Sequence, residues 1–281
     1  MKRRRAAVRR WRIALLAVLV SALVAAVPAT AAGPLVAAHR GGAALWPENS
    51  LVAFRNALAL GVDALEFDLH LDADGEVVVI HDAGLARTTT GTGPVRALTR
   101  AERDGLRLKA RDGAITAERI PTFAQVLDLA APLRAEIVPE IKVGAGGLRY
   151  EGIEEKVLAL IRARRLLPRV TIQAFEPETI RRLRALEPGA RIMFLVSRAR
   201  LEATGATVLD ALRQARELGA TDVGIDHRLV DDAVVRAARE SRLRLAVWTV
   251  NEEPAMRAMI GAGADMIMTD RPDLLLRALG R

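Results

Sequence analysis

Between Val36 and Asp82 the chain places three of its four histidines, an arginine directly after the first of them, and two carboxylates two residues apart. Successive side chains of a strand point to opposite faces, so Glu66 and Asp68 in the segment ALEFDLH project to the same side. Two carboxylates ~4 Å apart repel by on the order of 4 kcal/mol at an effective dielectric near 20, so the pair calls for a cation. Glu140, in VPEIK, lies near the end of another apolar run, and Lys142 follows it on the same face. Three converging carboxylates form an all-oxygen pocket suited to one hard divalent cation, Ca²⁺ or Mg²⁺. The competing reading is an internal salt bridge among Glu66, Asp68, Glu140 and Lys142.

His39 and His81 titrate near neutrality, and a pair of imidazoles can take a proton from one oxygen and give one to another. Arg40 can hold a phosphate through two parallel hydrogen bonds, and Lys142 can add a point charge. Two imidazoles, two cations and a hard metal are what phosphodiester cleavage requires. His70 and His227 read as structural. Asn49 and Ser50 both suit the N-cap of the segment that follows them, which competes with any substrate role for Asn49.

Such residues must be positioned by the elements around them. From Leu35 onward short apolar runs alternate with longer segments of helical period, the pattern of a single α/β domain. Nine extended runs are expected, at 35–39, 64–71, 76–81, 136–142, 170–175, 191–197, 222–226, 244–250 and 265–269. Only Asp72-Ala73-Asp74-Gly75 separates the second from the third, too few residues for a helix, so these two form a hairpin. The fold expected is a distorted (β/α)8 TIM barrel, with a short insertion over residues 83–120 after the third extended segment. Thr99 with Glu102, and Thr122 with Gln125, have the spacing of capping boxes. Further helices are expected near 51–60, 151–166, 177–186, 206–218, 230–241, 252–262 and 273–279, with Pro177 and Pro254 in first turns. Catalytic groups of such a barrel gather at the C-terminal ends of its strands, and His39, Glu66, Asp68, Glu140 and Trp248 all fall near such ends.

The first 31 residues read differently. Met1–Arg12 carries seven basic residues and no acid, Ile13–Val27 is uncharged, and Ala29-Thr30-Ala31 has small residues in an A-x-A pattern, the plan of a signal peptide. Fifteen apolar residues fall short of the ~20 that span a bilayer, so export with cleavage is expected, and no stable membrane span afterwards. The destination is then secreted or cell-envelope. Of 42 Lys and Arg, removal of seven leaves 35 against 34 Asp and Glu, so the remaining domain, 32–281, is nearly neutral. The basic balance of the whole chain therefore gives no support to nucleic-acid binding. Cysteine is absent, and a core of about 250 residues needs no disulfide staples.

The ordered string HRGG, PEN, EFDLHLDADGEVVVIHD, TTTGTG, IPTFAQVLDL, PEIK, QAF, WTVN, MIMTDRPD resembles the glycerophosphodiester phosphodiesterase family across nearly all of residues 35–273. The resemblance implies a TIM barrel that uses a divalent metal to hydrolyse small-molecule glycerophosphodiesters to glycerol 3-phosphate and an alcohol. It implies that His39 and His81 are the catalytic pair, that Glu66, Asp68 and Glu140 hold the metal, and that Arg40 and Lys142 contact phosphate. Trp248 matches the aromatic residue that faces glycerol. Pro139 stands where many members have a polar residue, and Ala174 replaces a common serine.

Overall fold

The computed structural model describes residues 33–281, so the expected leader lies outside the described residues. Nine strands occur where extended runs are expected: β1 Leu35–Ala38, β2 Ala64–Leu71, β3 Val77–Val79, β4 Glu136–Ile141, β5 Thr171–Ala174, β6 Arg191–Val196, β7 Asp222–Asp226, β8 Arg244–Trp248 and β9 Met266–Thr269. Eight of them form a closed parallel barrel, because β1 pairs with both β9 and β2. The ninth, β3, pairs only with β2 and runs antiparallel to it, so the hairpin does supply the strand outside the barrel.

Strand β2 shows how sequence alternation becomes architecture. All eight of its residues are buried. Leu65, Phe67, Leu69 and Leu71 face the helices, where Phe67 packs between Phe54 and Phe123 at ring separations of 5.4 and 5.9 Å. The alternate residues Ala64, Glu66, Asp68 and His70 face the other way. A separate apolar cluster of Ala37, Ala64, Val138, Met193, Leu195, Ala246, Met266 and Met268 fills the barrel interior, so polar groups above it sit on a packed floor. Gly224 belongs to that packing, since a Cβ there would come within 2.6 Å of Leu195 and 2.9 Å of Met193.

The outer layer is α1 Leu51–Leu60, α2 Arg100–Gly105, α3 Phe123–Ala130, α4 Ile153–Ala163, α5 Pro177–Leu186, α6 Arg198–Thr204, α7 Val208–Glu217, α8 Asp232–Glu240, α9 Glu253–Ala262 and α10 Pro272–Ala278. Both expected capping boxes form, at Thr99/Glu102 and Thr122/Gln125. Ser50 rather than Asn49 caps α1, accepting from the Ala53 N–H at 3.1 Å. Helix α6 is additional to the expected set; Ser197 caps it, but none of its residues is buried, so no apolar stripe announces it. The insertion has its own small core, with Leu85, Val95, Leu98, Leu108 and Ile120 packed on Val78 and Ile80 of the hairpin strand and its end.

Candidate active site

Glu66, Asp68 and Glu140 present one carboxylate oxygen each within 4.8 Å of one another, and all three residues are buried. The register explains it: Asp68 of β2 lies directly beside Glu140 of β4, and Glu66 stands one inward-facing position below. Each acid is held by neighbours. Glu66 accepts from the Arg40 backbone N–H (2.9 Å) and from the Gln173 amide (2.8 Å), and Asp68 accepts from the Asn49 amide (2.8 Å). The Lys142 ammonium lies 2.9 Å from Glu140 and 3.4 Å from Asp68, and the Arg40 guanidinium 3.6 Å from Asp68. Arg40 and Asn49 both adopt left-handed backbone, φ 52° and 57°, uncommon for residues with a side chain. In Arg40 that turn accompanies the N–H bond to Glu66, so the backbone strain sits where it serves the site.

Burial and mutual repulsion split the three acids. Glu66 is pushed up to about 7, by burial first and then by Asp68 and Glu140, against the pull of His39. Burial also raises Glu140. Asp68 goes the other way: burial is overcome by Lys142, His81 and Arg40, which hold its carboxyl below the usual range. Lys142 is itself raised, because Glu140 and Asp68 outweigh its own burial. The raised Glu66 and Glu140 show that the cations present do not offset burial and the mutual repulsion of three converging acids, and the donors are all hard oxygens. That donor set fits Ca²⁺ or Mg²⁺.

The two histidines arrive from different directions. His39 follows β1 directly. His81 follows β3, which runs back from the rim, so that the Ile80 N–H donates to the Asp68 carbonyl at 3.0 Å and His81 ends beside the acids instead of beyond them. Both rings have Nδ1 against a carboxylate, at 2.6 Å from Asp270 for His39 and 2.6 Å from Asp82 for His81. Asp270 and Asp82 are both lowered below the usual carboxylate range, Asp270 although burial opposes it and Asp82 chiefly through Arg87. Ionised carboxylates accept only, so each Nδ1 carries the proton and each Nε2 is left for the cavity. Asn251 donates to Asp270 at 2.7 Å, and Arg87 grips Asp82 at 2.6 and 2.9 Å.

A cavity of about 160 Å³ joins these groups: His39, Arg40, Glu66, His81, Glu140 and Lys142 line it together with Gln173, Phe175 and Trp248. Trp248 meets Phe175 edge-on with ring centres 5.5 Å apart and forms the apolar side, its indole N–H without a partner among the described residues. The sequence-expected residues thus all converge. His70 does not line this cavity: its nitrogens are engaged by the Tyr150 hydroxyl (2.9 Å) and the His81 carbonyl (3.0 Å), and burial pushes it down to about 4. Residues that sequence reasoning left without a role are Asp82, Asp270, Asn251, Glu48, Arg87 and Gln173, all near the two histidines and the three acids. Most fall in the motif strings, but as letters without an assigned partner.

A model of the glycerophosphoryl diester phosphodiesterase family matches residues 39–274. A glycerophosphodiester phosphodiesterase from Caldanaerobacter subterraneus subsp. tengcongensis is 32% identical over 243 residues, covering 86% of this chain and 96% of that protein. The crystal structure of a glycerophosphodiester phosphodiesterase from Agrobacterium tumefaciens has a TM-score of 0.72 at 26% identity, covering 87% of this chain and 99% of that one. An Oleispira antarctica phosphodiesterase, solved in complex with the product sn-glycerol-3-phosphate, has a TM-score of 0.74 at 23% identity, covering 89% and 98%, and shares the fold. With the family model spanning most of its length and a relative 32% identical across it, the chain belongs to the glycerophosphoryl diester phosphodiesterase family and is a phosphoric diester hydrolase.

Proposed function

We propose that the protein hydrolyses glycerophosphodiesters to sn-glycerol 3-phosphate and an alcohol, with one divalent cation, Ca²⁺ or Mg²⁺, held by Glu66, Asp68 and Glu140, and with His39 and His81 as acid and base. The observation that carries this reading is the meeting of three clustered buried acids, two of which line the cavity, with two imidazoles on the same cavity whose Nδ1 atoms are each fixed by a carboxylate. The product bound in the Oleispira antarctica structure is consistent with it.

The cation, when bound, supplies concentrated positive charge for the phosphoryl oxygens. Arg40 and Lys142, already at the cavity wall, add hydrogen bonds to the same oxygens. One imidazole takes the proton of a glycerol hydroxyl at its free Nε2, and the oxygen attacks phosphorus to close a cyclic phosphate. The second ring enters the step as an imidazolium, protonated at both nitrogens, and the bond to the other alcohol breaks as its Nε2 gives that oxygen a proton. The second imidazole, now neutral, removes a proton from water, which opens the ring, while the first returns its proton to the glycerol oxygen. Trp248 and Phe175 offer a flat apolar wall for the glycerol carbons.

The test is to strip the protein of metal and follow glycerol 3-phosphate release from glycerophosphocholine as Ca²⁺, Mg²⁺ or Zn²⁺ is returned. Release that needs Ca²⁺ or Mg²⁺ supports the proposal; release in full chelator, or restored by Zn²⁺ alone, overturns the metal assignment. We further propose, from the composition of residues 1–31, that the chain is exported and cleaved. A mature N-terminus near Ala32 on protein recovered outside the cytoplasm is the expected result; protein kept inside with Met1 intact would refute it. Among the described residues, no helix is long and apolar enough to cross a membrane.

A further inference from the structure

A second cavity, of about 480 Å³, opens outside the first and shares His39, Arg40 and Thr249 with it. A diester whose phosphorus lies between the two has one arm in each. The inner cavity, walled by Trp248 and Phe175, takes the glycerol arm in the proposed reaction, so the departing alcohol occupies the outer one. Its walls therefore select the alcohol.

Those walls are basic: Arg40, Arg87, Lys109 and Arg111 stand against only Glu48 and Asp270. The two acids are already engaged. Glu48 accepts two bonds from Arg87, at 2.8 Å each, and one from Arg40 at 3.3 Å, while Asp270 holds His39 and Asn251. Arg87 is in turn shared with Asp82. Among the described residues, Lys109 and Arg111 have no carboxylate partner; the Lys109 ammonium donates only to the Ala86 carbonyl, at 2.9 Å. Lys109 is half-buried and Arg111 is exposed, and the backbone on either side of them is tied down. The Lys109 N–H donates to the Thr88 carbonyl (2.8 Å), Gly113 closes a tight turn onto the Ala110 carbonyl (2.9 Å), and Leu108 anchors the segment in the insertion core. Beside them the Thr88 hydroxyl, in a residue only 7% exposed, lines the same cavity with no hydrogen-bond partner among the described residues. A buried hydroxyl is costly to leave unpaired, and here it stands next to two uncommitted cations.

We infer that the insertion makes this vestibule a receptor for an anionic group on the departing alcohol, so that the enzyme prefers diesters whose alcohol carries a phosphate over those whose alcohol is neutral or cationic. Lys109 and Arg111 supply the charge and Thr88 a directed hydrogen bond. The inference rests on the diesterase reading above, which sets where the alcohol arm lies.

The experiment compares kcat/KM for glycerophosphoinositol 4-phosphate, glycerophosphoinositol and glycerophosphocholine. The phosphorylated substrate should lead the neutral one by roughly tenfold, the scale of one charge-assisted hydrogen bond, and glycerophosphocholine should trail both. The lead should shrink as salt rises, since a partly exposed site is screened. In Lys109→Glu/Arg111→Glu the order of phosphorylated and choline substrates should reverse. Equal kcat/KM for all three in the native enzyme, or variants that slow every substrate in parallel, would overturn the inference. Absence of turnover with every diester, metal present, would instead sink the diesterase reading. In that event calorimetric binding of the phosphorylated and neutral inositol ligands to the same protein still reads the vestibule, and equal affinity overturns the inference there too.

Discussion

At the N-terminal mouth of the barrel Arg191 lies between Glu136 and Asp222, at 3.1 and 3.4 Å, Arg244 approaches Asp222 at 3.8 Å, and the Thr221 hydroxyl donates to Asp222 at 2.6 Å. An arginine stands between the acids, although burial, Glu136 and Asp265 still push Asp222 above its ordinary value. At the C-terminal mouth, Glu66, Asp68 and Glu140 face one another within 4.8 Å, with Arg40, Lys142 and the two histidines around them, and Arg40 also leans on Glu48. Both clusters come from the same alternation of inward-facing residues along the strands. What separates them is placement: at one mouth an arginine lies between the acids, at the other the three carboxylates face one another as a set that could hold a cation. Buried carboxylates turned toward one another are what folding alone would discard, so their presence marks the working end.

The largest way to break this comparison is to remove the imidazoles at the working end. His39→Ala and His81→Ala should each lower kcat by about 10²- to 10⁴-fold, the usual worth of acid–base help, with little change in folding. Turnover near the native rate in either would strip that residue of its role. At the other mouth the effect should appear in stability instead. Asp222→Ala leaves Arg244 without its carboxylate and Arg191 with Glu136 alone, and should cost about 1–2 kcal/mol in urea unfolding, since both arginines reach solvent. An unaltered unfolding midpoint would show that this cluster does not stabilise the barrel.

The placement itself is read by adding a divalent ion. Ca²⁺ or Mg²⁺ at ~100 times its dissociation constant should stabilise the native protein by about 2.7 kcal/mol, since the three acids meet only in the folded chain. Glu140→Gln should abolish most of that gain, and Asp222→Ala should keep it despite its lower starting stability. A gain that survives Glu140→Gln, or one lost in Asp222→Ala, would put the ion elsewhere.

Much of this was legible before any coordinates. The strands could be read because their outward positions are Leu, Ile, Val and Phe, and the acids because EFD and PEI put carboxylates on the inward positions of that same period. Helix α6 could not be read, because in RARLEAT only Leu201 leans on the core and no residue is fully buried, so it lacks the stripe on which periodicity depends. The partners of the histidines escaped for another reason. Asp270 is 231 residues from His39, and no spacing rule links an imidazole to the carboxylate that orients it. Asp82 sits next to His81 and is a letter of the same motif, yet sequence cannot say that its charge is directed at the ring. The Glu48–Arg87 bridge that ties the insertion to the barrel mouth is of the same kind, joining residues 39 apart through geometry alone.

His70 sharpens the contrast inside the working end, because it is an imidazole beside the acids that serves packing. Burial holds it near 4, below the ordinary histidine value of about 6.5, so the folded protein keeps it neutral where the unfolded chain would take a proton. The sign follows directly: its contribution to stability is complete above about pH 6.5 and drains away as the pH falls toward 4. Between pH 7.5 and pH 5 the loss should be roughly 2 kcal/mol from this residue, measured in chelator so that no ion intervenes. His70→Gln, whose amide can still donate to the His81 carbonyl and accept from Tyr150, has no proton to gain and should show a correspondingly shallower fall in unfolding free energy. If native and variant proteins lose stability in parallel over that range, His70 is protonated in the fold, and the division between reacting and structural imidazoles at this mouth has to be redrawn.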